Sequence, residues 1–130
     1  MNYQPITRSV RVAGNLHAER FEDVDVNLFE LYAACAERTG LITGRNVVRC
    51  RIQGPAIMLV SAGVTFDGCN FGDRDGDMRN LVLRPAGPRA LGTVPMRDCR
   101  FEGCEFFNVG FTGSHQVIDM LLAVSGEPAR

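Results

Sequence analysis

Lysine and tryptophan do not occur in this 130-residue chain, histidine occurs twice, and serine only four times. All 14 basic residues are therefore arginine. The lack of lysine excludes Schiff-base catalysis and the phosphate-binding lysine of a P-loop. No apolar run approaches the roughly 18 residues that a membrane helix needs. The opening MNYQPITRSVRVAG lacks the charged-then-apolar order of a secretory signal. A cytoplasmic protein with no membrane partner is expected. Arginine balances acid so closely that the net charge is −1, whereas nucleic-acid binders carry a basic excess. Nucleic acid is thus not an expected partner. With 45% hydrophobic and 22% charged residues, the composition is that of one globular domain, burying about two-thirds of its unfolded surface.

The most regular signal is a beat of five. Cys99-Arg100-Phe101-Glu102-Gly103, Cys104-Glu105-Phe106-Phe107-Asn108 and Val109-Gly110-Phe111-Thr112-Gly113 follow one another directly. The frame returns in Val64-Thr65-Phe66-Asp67-Gly68 and Cys69-Asn70-Phe71-Gly72-Asp73. A looser copy runs Cys50-Arg51-Ile52-Gln53-Gly54 and Pro55-Ala56-Ile57-Met58-Leu59. Neither a strand period of two nor a helical period of 3.6 accounts for it. Apolar-x-apolar is a strand fragment that sends both apolar side chains to one face. Glu102-Gly103, Asp67-Gly68 and Gln53-Gly54 then read as turns. Repetition winds such units into a solenoid whose coils bury one another, with Phe stacked inside and Cys as the small partner.

These quintets resemble the pentapeptide-repeat family, in which a small residue, a polar residue and Leu or Phe precede two variable positions. The resemblance covers 99–113 and 64–73 well and 50–59 loosely. It implies a mainly β chain folded as a right-handed parallel β-helix of about four coils. The segment Arg74–Met96, rich in Gly, Pro and Arg, breaks the frame and admits a more irregular right-handed β-helix with longer coils. A left-handed helix would need a hexapeptide period, which is not seen.

The flanks are read separately. Asn27-Leu28-Phe29-Glu30 has the form of a capping box, and Leu28, Leu31 and Cys35 follow at helical spacing. The spacing predicts a short helix over 27–39, stopped at Gly40. This N-terminal helix would cap the open end of the solenoid and cover its strand edge. Ser9–Ala13 alternates as a short strand, and His115–Val124 reads as an apolar strand. The expected layout is one domain: a strand and helix cap over 1–44, the β-helix over 45–124 and a tail over 125–130.

Candidate chemistry is thin. The repeat cysteines lack the short Cys-x2–4-Cys spacing of zinc knuckles, so core packing is the expected role and no metal site is predicted. Asp73-Arg74-Asp75-Gly76-Asp77 is faintly like a calcium loop, but Gly76 falls at position 4 and Arg84 at position 12. An exposed turn is expected there. Asp67, Asp98, Glu102 and Glu105 are candidates for an outward acidic row beside Arg97 and Arg100, suited to proton abstraction from a sugar. Long polysaccharide lyases of β-helical form resemble this arrangement, but their grooves come from loops this chain lacks. His17 and His115 have no local nucleophile beside them. No catalytic residue and no cofactor is predicted.

Arg49 and Arg51 alternate about Cys50, so on a strand both point outward together. With Arg97 and Arg100 they form the candidate partner-binding set. The functional expectation is a non-catalytic scaffold or protein-interaction module, presenting a face to a protein partner that the sequence does not name. It is expected to assemble as a homodimer joined near its C-terminal end. Two other classes follow from the resemblance. Some pentapeptide-repeat proteins mimic duplex DNA and inhibit or protect topoisomerases, which requires an acidic surface. The other is a carbohydrate-active β-helix protein.

Overall fold

The computed structural model describes residues 3–35 and 40–124. Short strands dominate: β1 (Arg20–Glu22), β2 (Asp25–Asn27), β3 (Ile42–Thr43), β4 (Asn46–Val48), β5 (Arg51–Val60), β6 (Thr65–Asp67), β7 (Val94–Arg97), β8 (Arg100–Glu102) and β9 (Glu105–Gly113). Helix α1 (Leu28–Cys35) follows β2, and α2 (His115–Leu122) follows β9. A 3-10 turn, Met78–Asn80, lies in the frame-breaking segment. Four strands form one sheet in the order β1-β4-β8-β6. The second sheet runs β2-β5-β7-β3, with β9 also paired to β5. Every strand pair is parallel.

The five-residue beat sets the local pairing. Phe21, Val47, Phe101 and Phe66 are matched across the first sheet. Val26, Ile52 and Phe106 are matched across the second. Phe66 stacks on Phe101 at 5.3 Å and Phe71 on Phe106 at 5.7 Å, with Phe111 edge-on to Phe106 at 5.2 Å. Each such ring pair adds about 0.5–1.5 kcal/mol beyond burial. Between the sheets the chain turns through left-handed residues: Asp23 after β1, Arg49 after β4, Gly68 after β6 and Gly103 after β8, with φ between 49° and 63°. Glycine enters this region freely, whereas Asp23 and Arg49 do so at a cost. After three of these turns comes a buried cysteine whose thiol donates back to the carbonyl two residues earlier. The pairs are Cys50 to Val48 (3.3 Å), Cys69 to Asp67 (3.6 Å) and Cys104 to Glu102 (3.6 Å). Cys99 repeats the bond with Arg97 at 3.4 Å after Asp98, at φ 53°. Cysteine opens these quintets because it fits beneath a turn and satisfies a carbonyl there.

The global winding differs from expectation. The fold is an α/β arrangement of two parallel sheets with two helices, not the right-handed parallel β-helix or pentapeptide-repeat solenoid of about four coils. Among the described residues no closed solenoid is present. Two physical causes stand out. First, β8 lies between β4 and β6, so strands are not layered in chain order. The excursion through 74–93 returns the chain so that β7 pairs with β5 and β8 enters between β4 and β6, instead of adding the next strand in chain order at the free edge of the sheet. Second, the expected turn at Gln53-Gly54 lies inside the ten-residue β5. The register with β9 slips between Gln53 and Ala56, opposite Asn108 at φ 58°. This β-bulge absorbs the extra residue and lets two quintets run straight through. Gly54 is required because a Cβ there would lie 2.0 Å from the Asn108 carbonyl oxygen.

The flanks also differ in part. α1 spans Leu28–Cys35 and buries Leu28, Leu31 and Cys35, while the Asn27 side chain accepts from Glu30 N–H at 3.0 Å. Positions 36–39 of the expected helix lie outside the described residues. With no open solenoid to plug, α1 packs on β2, β3, β5 and β7 instead of capping an end. His115–Val124 does not form the expected strand. Ser114 accepts from Val117 N–H at 3.2 Å as an N-cap, and Ile118 and Leu121 are buried at helical spacing in α2. Ser9–Ala13 contributes one parallel bridge, Val12 to Asp25. The tail over 125–130 lies outside the described residues. Among the described residues no helix is long and apolar enough to cross a membrane.

Candidate functional site

The first residues of β2, β5 and β9 are Asp25, Arg51 and Glu105, matched in lateral register, with Asn70 bridged to Glu105. The following residues, Val26, Ile52, Phe106 and Phe71, are all buried in the core. Strand alternation therefore sends all four polar residues to the outer face. Parallel neighbours lie about 4.8 Å apart, so Asp25, Arg51, Glu105 and Asn70 form one ladder of side chains.

An extended N-terminal segment lies across this ladder. Glu105 accepts from Ile6 N–H at 2.9 Å through Oε2, and the Tyr3 hydroxyl donates to the same oxygen. Arg51 Nη2 donates to the carbonyls of Arg8 at 2.6 Å and Ile6 at 3.4 Å. Asp25 pairs with Arg51 at 3.3 Å and Arg8 at 3.1 Å, and accepts from Arg11 N–H at 2.7 Å. The segment joins the sheet edge where Ala13 N–H donates to Asp25 and Asp25 N–H to Arg11. Glu105 is only 8% exposed and Asn70 only 4%, so outward positions have become interior ones. A buried charge is tolerable only when its bonds are made. Beside the segment is a cavity of about 220 Å³ lined by Tyr3, Arg51, Asn70, Gly72, Glu105, Phe106 and Phe107. Phe107 stands at its rim, 63% exposed.

The four arginines singled out from sequence do not converge. Arg51 belongs to the ladder. Arg49 sits in a left-handed turn, not on a strand, and so does not share its direction. It forks onto Asp23 at 3.0 and 3.2 Å and lies 3.7 Å from Glu22. That hydrogen-bonded guanidinium holds the Asp23 carboxyl below its ordinary range. Both side chains are well exposed (54% and 38%), where solvent screens such a pair and leaves it little weight in stability. Arg97 ends β7, 3.9 Å from Asp98, and Arg100 begins β8 in the other sheet between Asn46 and Thr65. Nor do the acids form one row. Asp67 and Glu102 are cross-strand neighbours in the first sheet, Glu105 belongs to the second, and Asp98 occupies a turn.

Asp25, Asn70 and the segment Tyr3–Arg11 were not identified from sequence as parts of one site. A signal existed. Each ladder residue is the polar second position of its unit: Val24-Asp25-Val26, Cys50-Arg51-Ile52, Cys69-Asn70-Phe71 and Cys104-Glu105-Phe106.

The remaining reactive groups are closed off. Burial pushes the Cys50 and Cys99 thiols up, and the adjoining Cys69 together with burial pushes Cys104 well up. All five cysteines are buried free thiols. Among the described residues no group of three or more His, Cys, Asp or Glu side chains is placed to hold a metal ion. In the loop at 73–77, Asp73 accepts from the N–H groups of Asp75 and Asp77 at 2.9 and 2.8 Å and from the Asn80 amide at 3.0 Å. Its carboxylate organises its own turn. Comparison with known proteins found no matching family, no curated relative and no similar solved structure.

Proposed function

We propose that the protein is a non-catalytic interaction module that takes a protein partner on the outer face of its five-stranded sheet. The observation that carries this reading is the ladder itself. Arg51 and Glu105 stand on adjacent strands and already grip both polar groups of an extended main chain, the Ile6 N–H and the Ile6 and Arg8 carbonyls. Main-chain recognition by rigid sheet positions is a mode of protein binding. Asp25 on this face is interleaved with Arg8 and Arg51, and in the neighbouring strand end and turn Glu22 and Asp23 are matched with Arg49. Interleaving of this kind does not favour mimicry of a polyanion. Exposed Met120, Leu122 and Val124 on and after α2 support homodimer contact near the C-terminal end.

The test is capture from native cells on the immobilised chain, with bound material identified by mass spectrometry. One reproducible protein is expected, and its recovery is expected to fall at least tenfold with Arg51→Ala. Recovery of nucleic acid or glycan in its place, or a protein retained equally by Arg51→Ala, would overturn the reading.

A further inference from the structure

We propose that Asp25, Arg51 and Glu105 form a lane for an extended peptide of the pattern apolar-x-arginine, and that the chain's own Ile6-Thr7-Arg8 occupies it as a displaceable competitor. The inference rests on the reading of the protein as an interaction module and names the chemistry of the partner. Three observations carry it.

The lane reads a pattern. Ile6 is 8% exposed and Arg8 is half-buried, while Thr7 between them faces solvent. An extended chain presents alternate side chains to the surface beneath it, so positions 6 and 8 are read and position 7 is not. Arg8 is recognised by charge and by geometry. Its guanidinium meets Asp25 at 3.1 Å and donates to the carbonyls of Val24 at 2.8 Å and Arg49 at 3.4 Å. Arg51 and Glu105 meanwhile bind main-chain groups that any peptide carries.

The resident segment fits imperfectly. Arg8 Nε is buried without a hydrogen-bond partner among the described residues, a fault that weakens an occupant. The cavity of about 220 Å³ beside Tyr3 is space the segment leaves unfilled. A peptide that fills it and satisfies a donor in place of Arg8 Nε has the means to bind more tightly than the resident.

The segment is also tethered so that it can leave alone. Its distal part, 3–8, is held by side chains of the ladder, while main-chain bonds at 11–13 anchor it to β2. Opening about that anchor leaves both sheets intact. Such local opening is the ordinary route by which a covered site becomes available.

The experiment uses the full chain and a fluorescein-labelled synthetic peptide, YQPITRSVR, followed by anisotropy. The double variant Ile6→Asp/Arg8→Glu releases the resident segment, and circular dichroism with thermal melting checks that it remains folded. The labelled peptide is expected to bind this variant at least tenfold more tightly than the unaltered chain. Adding Arg51→Ala, or using a peptide with glutamate in place of its first arginine, is expected to remove that binding. A folded double variant that binds no better than the unaltered chain would overturn the lane. Hydrogen exchange on the unaltered chain is the second measurement. The Ile6 amide is expected to exchange at least tenfold faster than those of Ile52 and Phe106, and equal protection would overturn displaceability. Loss of peptide binding while the captured partner still depends on Arg51 removes the lane alone. Loss of both removes the module reading as well.

Discussion

Replacing Gly54 by alanine tests the bulge on which the departure from a solenoid turns. The backbone of Gly54 is not left-handed, so a turn at this site would accept alanine readily. In the structure, however, the added Cβ would lie 2.0 Å from the Asn108 carbonyl oxygen and 2.6 Å from Ala56 N, where ordinary contact begins at 3.4 Å. Both obstacles are backbone, so neither can rotate away. β5 and β9 must part by about 1.4 Å locally to reach ordinary contact. That opening forfeits about two ladder hydrogen bonds, each worth about 1 kcal/mol net. Strain of about 1–3 kcal/mol is added, as for other overpacked sites. The expected loss is therefore about 3–5 kcal/mol, a large share of the roughly 5–15 kcal/mol that holds a domain folded. Urea unfolding followed by circular dichroism measures it, with Gly87→Ala as control. Gly87 has open space where its Cβ would stand, and its change is expected to stay within about 0.5 kcal/mol. Equal midpoints and slopes for the two variants would refute the bulge.

Ser114→Ala removes the cap of α2 and is expected to cost about 1 kcal/mol in urea unfolding; Ser114→Asp is expected to recover most of it. Asp77, hydrogen-bonded by Arg79, has its pKa lowered to about 2 from 3.8. A carboxyl depressed on folding contributes stability that is whole above about pH 4 and is lost as pH falls through about 2. Carboxyl-carbon NMR titration checks this, and Arg79→Ala is expected to return the midpoint toward 3.8. The buried, upward-shifted thiols of Cys50, Cys99 and Cys104 are expected to resist Ellman's reagent at pH 7 until denaturant is added. Rapid titration of all three in the native protein would contradict that placement.

What the sequence made legible was local. Phe101, Phe66, Phe71 and Phe106 meet in one core because an apolar third position every five residues is visible in the chain itself. The turns at Gly68 and Gly103 were legible for the same reason, since glycine after a polar residue marks a reversal. The long straight course of β5 was not, because Gln53-Gly54 carries the same letters as a turn and only the opposing Asn108 makes it a bulge. The position of β8 between β4 and β6 depends on where a 20-residue excursion returns, which no local pattern encodes. The helix at His115–Leu122 was masked by its apolar run, although Ser114 supplied the cap. For the site, Arg51 was singled out for its charge, and Glu105 was weighed for an acidic row it does not join. Their union with Asp25 needs the register of three strands, and the burial of Glu105 needs a segment about a hundred residues away in the chain.

The placement of β8 and β9 has a consequence for synthesis. Strands β4, β5 and β6 leave the ribosome well before the residues that will lie against them, for β8 slots between two of these and β9 flanks the third. A growing chain that has reached residue 98 therefore displays bare strand edges and a gap in its first sheet. Completion is an act of late insertion, which favours slow folding. Until it happens, the waiting edges are open to the wrong neighbour.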